Sequence, residues 1–197
     1  MLLLSLVGEQ PIPILLVHRA LKPERHLLVC TDKTEAVARQ LHALLPHSEL
    51  RPIPNAYQLA EIARRFQQES TPDTVFNLTG GTKPMAWAGY EIALRQRADF
   101  VYLQSEGKKS TLYRFRFQDG RLFQQSEQLP RLITLEDYLQ AHGLDALPSN
   151  PLVNPQEVAV YHFLTEHCDQ CLHNLKYPAF EIDFFIQRGN QTAVIEA

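Results

Sequence analysis

The chain has 197 residues and a mass of 22.6 kDa, room for one full core and the beginning of a second. Its formal charge of −3 and pI near 6.2 exclude a surface that holds long nucleic acid by charge alone, because that footprint is strongly basic. A compact anion in a local basic pocket stays allowed. Cys30, Cys168 and Cys171 form an odd set and no stretch is laid out as a signal peptide, which predicts a reducing, cytoplasmic setting. The opening MLLLSLV breaks at Gly8-Glu9-Gln10-Pro11, far short of the roughly 20 residues of a membrane helix, so no membrane is expected as a partner.

Short apolar runs alternate with helical patterns through the first hundred residues: 2–7, 26–30, 49–53, 74–78 and 99–103 read as strands. That alternation predicts a mainly parallel, Rossmann-like α/β sheet with helices on both faces. Of the intervening helices, PIPILLVHRAL (11–21) is the poorest, since prolines break its start. KTEAVARQLHALL (33–45) carries a stripe of Val37, Leu41, Leu44 and Leu45 with Thr31, Asp32 or Thr34 as cap. NAYQLAEIARRF is expected to begin at a capping Asn55, and the fourth helix at Pro84, with Ala86, Ala88, Gly89 and Ala93 for close packing.

After residue 104 the period changes to two. TLYRFRF, then Gln118-Asp119-Gly120, then RLFQQSEQL reads as a β-hairpin extension. A helix follows at TLEDYLQAH, stopped by Gly143. LDALPSNPLVNP, with three prolines and two asparagines, marks a linker at 146–155 between a unit at 1–145 and one at 156–197. The second unit reads as a long helix, PQEVAVYHFLTEHCDQCLHNL, and two strand-like runs, FEIDFFIQ and QTAVIEA.

Chemistry concentrates at Asn77-Leu78-Thr79-Gly80-Gly81-Thr82-Lys83-Pro84-Met85. A strand delivers this turn to the edge of the sheet where open α/β folds bind ligands. Two glycines admit a close approach, two threonines offer hydroxyls, Lys83 offers a cation, and the free N–H groups of a helix start favour an anion. Spacing excludes two familiar motifs: Lys83 is followed by proline, unlike a Walker loop, and the Gly80-Gly81 pair is no dinucleotide fingerprint. The competing structural explanation is that Gly-Gly makes a tight turn and Thr82 caps the helix. CTDKT (30–34) is a second loop at the same edge, offering Thr31, Asp32, Lys33 and Thr34. If strands one and four are neighbours, Gly8, Glu9, Gln10, Thr31, Asp32 and residues 79–85 line one pocket.

NLTGGTKPMA, after five alternating strands and helices and before a hairpin, resembles the CARF domain, the CRISPR-associated Rossmann-like sensor of cyclic oligoadenylates. Within that group the layout of residues 1–145 is similar to the CARF effectors that carry a PD-(D/E)xK nuclease. The resemblance implies a homodimer that binds cyclic tetra-adenylate across its two-fold axis, with Thr79, Gly80, Gly81, Thr82, Lys83 and Met85 touching the ring and Thr31 and Asp32 reaching a ribose or base edge. Where family members carry a Ser or Thr after strand one, this chain has Glu9 and Gln10.

The same resemblance reads EIDFFIQRGNQTAVIEA as the truncated start of a restriction-endonuclease-like domain. Asp183 and Glu196 then stand as catalytic residues and as ligands of Mg²⁺ or Mn²⁺, with Glu157 or Glu166 completing the acidic set. The motif's lysine would follow Ala197, so the chain as written is expected to lack nuclease competence toward DNA or RNA. Family members that cut their own activator suggest slow ring cleavage aided by Lys83 and Thr82, although no general base stands out. Cys168-x-x-Cys171 with nearby histidines invites a zinc reading, set against a helix that happens to carry thiols. Two rivals remain: a monomeric nucleotide- or sugar-phosphate-binding enzyme using the same turn, and a nucleotide-responsive transcription regulator.

Overall fold

A computed structural model describes residues 1–106, 109–144 and 151–196. Five βα units come first: β1 (Leu2–Leu6), α1 (Ile12–Leu21), β2 (Arg25–Cys30), α2 (Glu35–Leu44), β3 (Ser48–Pro52), α3 (Leu59–Glu69), β4 (Thr74–Asn77), α4 (Lys83–Gln96) and β5 (Asp99–Glu106). β6 (Lys109–Gln118) and β7 (Arg121–Gln128) complete a seven-stranded sheet of order 3-2-1-4-5-6-7, parallel from β3 to β5 and antiparallel beyond. The strand order reverses between β1 and β4, which pair directly.

The alternation of β1 decides the two cores. Leu2, Leu4 and Leu6 face Ile62 and Phe66 of α3 and Met85 and Ala88 of α4, while Leu3 and Val7 face Ile14 and Val17 of α1 and Leu41 of α2. Both faces are buried, which is why the strand reads as a continuous apolar run. α1 forms despite its prolines, because Pro13 sits in the first turn, where its missing N–H costs nothing. α3 starts at Leu59 rather than at Asn55; the Asn55 side chain instead accepts from the Tyr57 N–H at 2.8 Å and shapes the loop before the helix. The Asp119-Gly120 turn has both residues at positive φ, 49° and 75°, as a tight two-residue hairpin requires.

α5 (Leu135–Ala141) is opened by a capping box between Thr134 and Asp137. Asp137 also takes a bidentate ion pair from Arg19 at 2.5 and 2.6 Å. Burial alone would raise the Asp137 carboxyl, but Arg19 and the Thr134 N–H outweigh it and hold the pKa below its ordinary value.

α6 (Pro155–His167) ends at Cys168, and the residues read as its second half form β8 (Gln170–Lys176) instead. β8 pairs antiparallel with β9 (Glu181–Arg188), and β9 with β10 (Gln191–Ile195), in a separate three-stranded sheet. Side-chain hydrogen bonds fasten this sheet to the chain between β7 and α5. Asn190 accepts from the Leu132 N–H and donates to the Pro130 carbonyl, Gln187 donates to the Ile133 carbonyl, and Gln170 accepts from the Leu135 N–H, all between 2.7 and 3.0 Å. Leu135 and Leu139 pack on Leu175, Ile182 and Phe185, while Ala141 of the same helix belongs to the first core. Of the predicted linker at 146–155, residues 146–150 lie outside the described residues, 151–154 belong to no helix or strand, and Pro155 already opens α6.

Candidate ligand-binding site

Loops one and four meet because both are built from glycine. A Cβ on Gly80 would lie 2.2 Å from the Leu6 carbonyl oxygen, and one on Gly8 would lie 3.1 Å from the Gly81 nitrogen. Gly81 holds φ at +73°, and a Cβ there would approach Leu6 Cβ to 2.8 Å. No other residue lets the two backbones touch in this way. The glycines therefore already have a packing reason, independent of any ligand.

The threonines are also committed. Thr79 Oγ1 donates to Asn77 Oδ1 at 2.7 Å and accepts from the Leu103 N–H at 2.8 Å, so it ties the turn to β4 and β5. Thr82 Oγ1 donates to the Ala56 carbonyl at 2.9 Å and caps the Met85 N–H at 3.4 Å. The two hydroxyls are thus bolts of the turn, on residues that also line the cavity. Among the described residues the Gly80 and Gly81 N–H groups have no protein acceptor, and with the opening turn of α4 they form an edge that favours an anion.

Behind the turn runs a buried polar row that carries no charge. Asn77 Nδ2 donates to Ser5 Oγ at 3.1 Å, Ser5 lies 2.8 Å from His26 Nε2, and His26 Nδ1 lies 2.9 Å from His18 Nδ1. Donors and acceptors match when Ser5 donates to His26 Nε2 and His26 Nδ1–H donates to His18. Desolvation lowers both imidazoles, His26 to about 3 with help from His18, and His18 to about 4 with help from Arg19 and His47. These two histidines are core residues.

Four βα loops enclose a cavity of about 670 Å³ over this turn, within the range of small-molecule sites. Gly8, Glu9 and Gln10 line it from the first loop, Thr31 and Asp32 from the second, and Thr79, Gly80, Gly81, Thr82 and Met85 from the fourth. Lys83 does not line it; the side chain leaves the first turn of α4 into solvent. Among the described residues the lining cation is Lys33. The third loop, residues 54–57, is a wall that sequence reasoning did not include, and its Asn-initiated turn was the signal.

Asp183 lies on β9 and Glu196 just past the end of β10, each one position beyond the last β9–β10 pair, Phe184 with Ile195. Among the described residues no three His, Cys, Asp or Glu side chains gather to hold a metal ion. Cys171 is on β8, where burial pushes its thiol up to about 11, with Cys168 adding to the effect. Among the described residues no helix is long and apolar enough to cross a membrane.

The Card1 CARF domain family matches residues 2–138. The chain belongs to that family. Solved CARF-like folds agree. Can2 from Sulfobacillus thermosulfidooxidans, in complex with cyclic tetra-adenylate, superposes with a TM-score of 0.79 at 17% identity, covering 99% of this chain and 78% of Can2. A type III CRISPR defence DNA nuclease activated by cyclic oligoadenylate gives 0.68 at 18% identity, with 100% of this chain and 40% of the nuclease covered. Protein VC1899 from Vibrio cholerae gives 0.62 at 13% identity, with 84% and 44% covered. The chain thus spans less than half the length of the last two. No curated protein matches it in sequence. The CARF domain's loop edge, at the switch between β1 and β4, is the part of the fold where the cavity lies.

Proposed function

We propose that this chain is a sensor of cyclic tetra-adenylate that works as a homodimer and, in its complete setting, switches a metal-dependent nuclease acting on DNA or RNA. The observation that carries the reading is the cavity at the β1–β4 switch point, with the Gly80 and Gly81 N–H groups, unpaired among the described residues, at one end. Family membership supports a cyclic oligoadenylate as the ligand, and the cyclic tetra-adenylate bound by Can2 supports the ring size. Loop N–H groups and Lys33 would meet phosphate, with Lys83 added at the rim from α4. Glu9 and Asp32 in the same lining fit hydroxyl donors of ribose better than phosphate.

A volume of about 670 Å³ suits part of a tetranucleotide ring, which argues for two cavities sharing one ring. Trp87, Tyr90 and Leu94 form an exposed apolar stripe along α4, the helix whose first turn brings Met85 to the cavity. Such a stripe is what a two-fold contact requires. The ring would then favour one relative orientation of the protomers, and only its differential affinity for that orientation could drive a switch.

For the effector part, residues 1–145 are read as the sensor and 156–197 as the start of a nuclease-like unit. Asp183 on β9 and Glu196 just past the end of β10 are hard oxygen donors and would contribute to a Mg²⁺ or Mn²⁺ site together with further ligands. Such an ion supplies Lewis-acid activation of water when bound.

Calorimetric titration with cyclic tetra-adenylate, with the linear tetramer as control, tests the reading. Tight binding at one ring per two chains is the expected result. Absence of heat with the ring, together with binding of a mononucleotide, would replace it by a monomeric phosphate-binding enzyme.

A further inference from the structure

The third loop has no role in the phosphate argument, yet it is built into the cavity. The Ala56 carbonyl accepts from Thr82 Oγ1 at 2.9 Å, so the loop is fastened to the turn that would hold phosphate. Asn55 Oδ1 accepts from the Tyr57 N–H at 2.8 Å and fixes the backbone that carries the tyrosine. Ala56 itself is buried at 9% exposure, whereas Tyr57 beside it is 74% exposed and still lines the cavity. An isolated exposed tyrosine is ordinary surface. A tyrosine whose peptide link to Ala56 is held at both the Ala56 carbonyl and the Tyr57 N–H, and whose ring stands open at the mouth of a cavity with an anion-favouring end, is a different object. Its two-torsion side chain loses little entropy when covered, and its face is free to accept another ring.

We propose that Tyr57 is the platform on which a nucleobase of the bound adenylate stacks. In a nucleotide the base and the phosphate are joined through one ribose, and the Thr82–Ala56 bond joins the corresponding protein elements with similar directness. The third loop thus supplies base contact, and the Gly80-Gly81 turn supplies phosphate contact. The assignment rests on the reading of the cavity as a cyclic tetra-adenylate site. It adds a contact from a loop outside the TGGTK turn, and it calls for stacking rather than for the phenol hydroxyl.

The test is calorimetry of the wild-type chain and of Y57A, Y57F and Y57W with cyclic tetra-adenylate and with AMP, together with thermal melting and solution mass. Y57A removes the platform from both protomers and is expected to weaken ring binding by roughly 30-fold or more, the loss of two stacked bases, while Y57F and Y57W stay near wild type. Melting should be unchanged in all three variants, because the Asn55 bond is made by the backbone N–H. Unchanged affinity in Y57A would overturn the proposal and leave the sensor reading standing. Equal weakening in Y57F would overturn it too, since the hydroxyl would then be the contact, and loss of the dimer in Y57A would make Tyr57 an interface residue. If wild type ignores the ring but binds AMP in a Tyr57-dependent way, the sensor reading falls and the platform stands. If wild type binds neither, both fall.

Discussion

At Gly80 a single hydrogen atom separates two backbones. Replacing it by a methyl group puts a carbon 2.2 Å from the Leu6 carbonyl oxygen, and because Leu6 is held in β1 by its pairing with Val29 of β2, the turn is the side that must shift. Gly80→Ala is expected to cost about 1–3 kcal/mol as overpacking, read as a lower denaturant midpoint, and to abolish the proposed ring binding by moving the turn. An unchanged midpoint would mean that the two loops are looser than their contact implies. The residue pattern TGGTK made the turn legible, but not which atoms would remain for a ligand. Thr79 and Thr82 look like free hydroxyls in a sequence and are committed to Asn77, Leu103 and Ala56, partners that only the fold brings near. On paper Lys83, inside the TGGTK turn, is the cation of choice, and Lys33 stands in the weaker CTDKT loop. A helix's first turn fixes where its side chains leave, and that sends Lys83 to solvent while Lys33 reaches the cavity.

Among the elements, β1 and β2 were readable because burial on both faces writes a continuous apolar run, while the half-exposed β3 was readable from its place in the strand–helix alternation. The strand β8 was not. Residues 155–175 carry a helical spacing of apolar positions throughout, and the chain leaves it at Cys168 because Gln170–Lys176 gains a ladder with β9, a partner distant in sequence. Asn174, at φ 49° inside β8, shows a local irregularity that no periodicity predicts. The connection between the sheets was likewise invisible, since it runs through amide side chains. Asn190, 5% exposed, satisfies both the Leu132 N–H and the Pro130 carbonyl. Asn190→Ala should cost about 1–3 kcal/mol by orphaning them, and hydrogen exchange at the Leu132 amide should accelerate. Unchanged protection there would show that the Gln187 and Gln170 bonds suffice.

For the molecule as a whole, the neutral histidine pair sets an acid limit. An unfolded chain takes up protons on His18 and His26 near pH 6.5, whereas the folded chain resists until about 4 and about 3. Between these values the unfolded state holds more protons, so stability rises with pH and is lost as pH falls from 6.5 toward 4. Each histidine that stays neutral in the folded chain removes at most about 1.4 kcal/mol for every pH unit crossed in that window. Chemical denaturation at pH 7.5, 6 and 4.5 should show the loss, and a His26→Gln chain should show a shallower dependence. The family and the fold could be read from an ordered set of strands and one short turn, since both are properties of the chain's own pattern. The extent of the cavity could not, because its third wall is signalled by a single asparagine.

The side-chain fasteners between residues 130–135 and the small sheet act upstream of the proline-rich stretch. A piece of furniture screwed to the wall does not depend on its cord. The hold on the small sheet therefore does not run through the covalent path, and any swing of the seven-stranded sheet's frame carries the small sheet with it as a passenger. Natural variation in length would be tolerated in that stretch and punished in the six residues before α5.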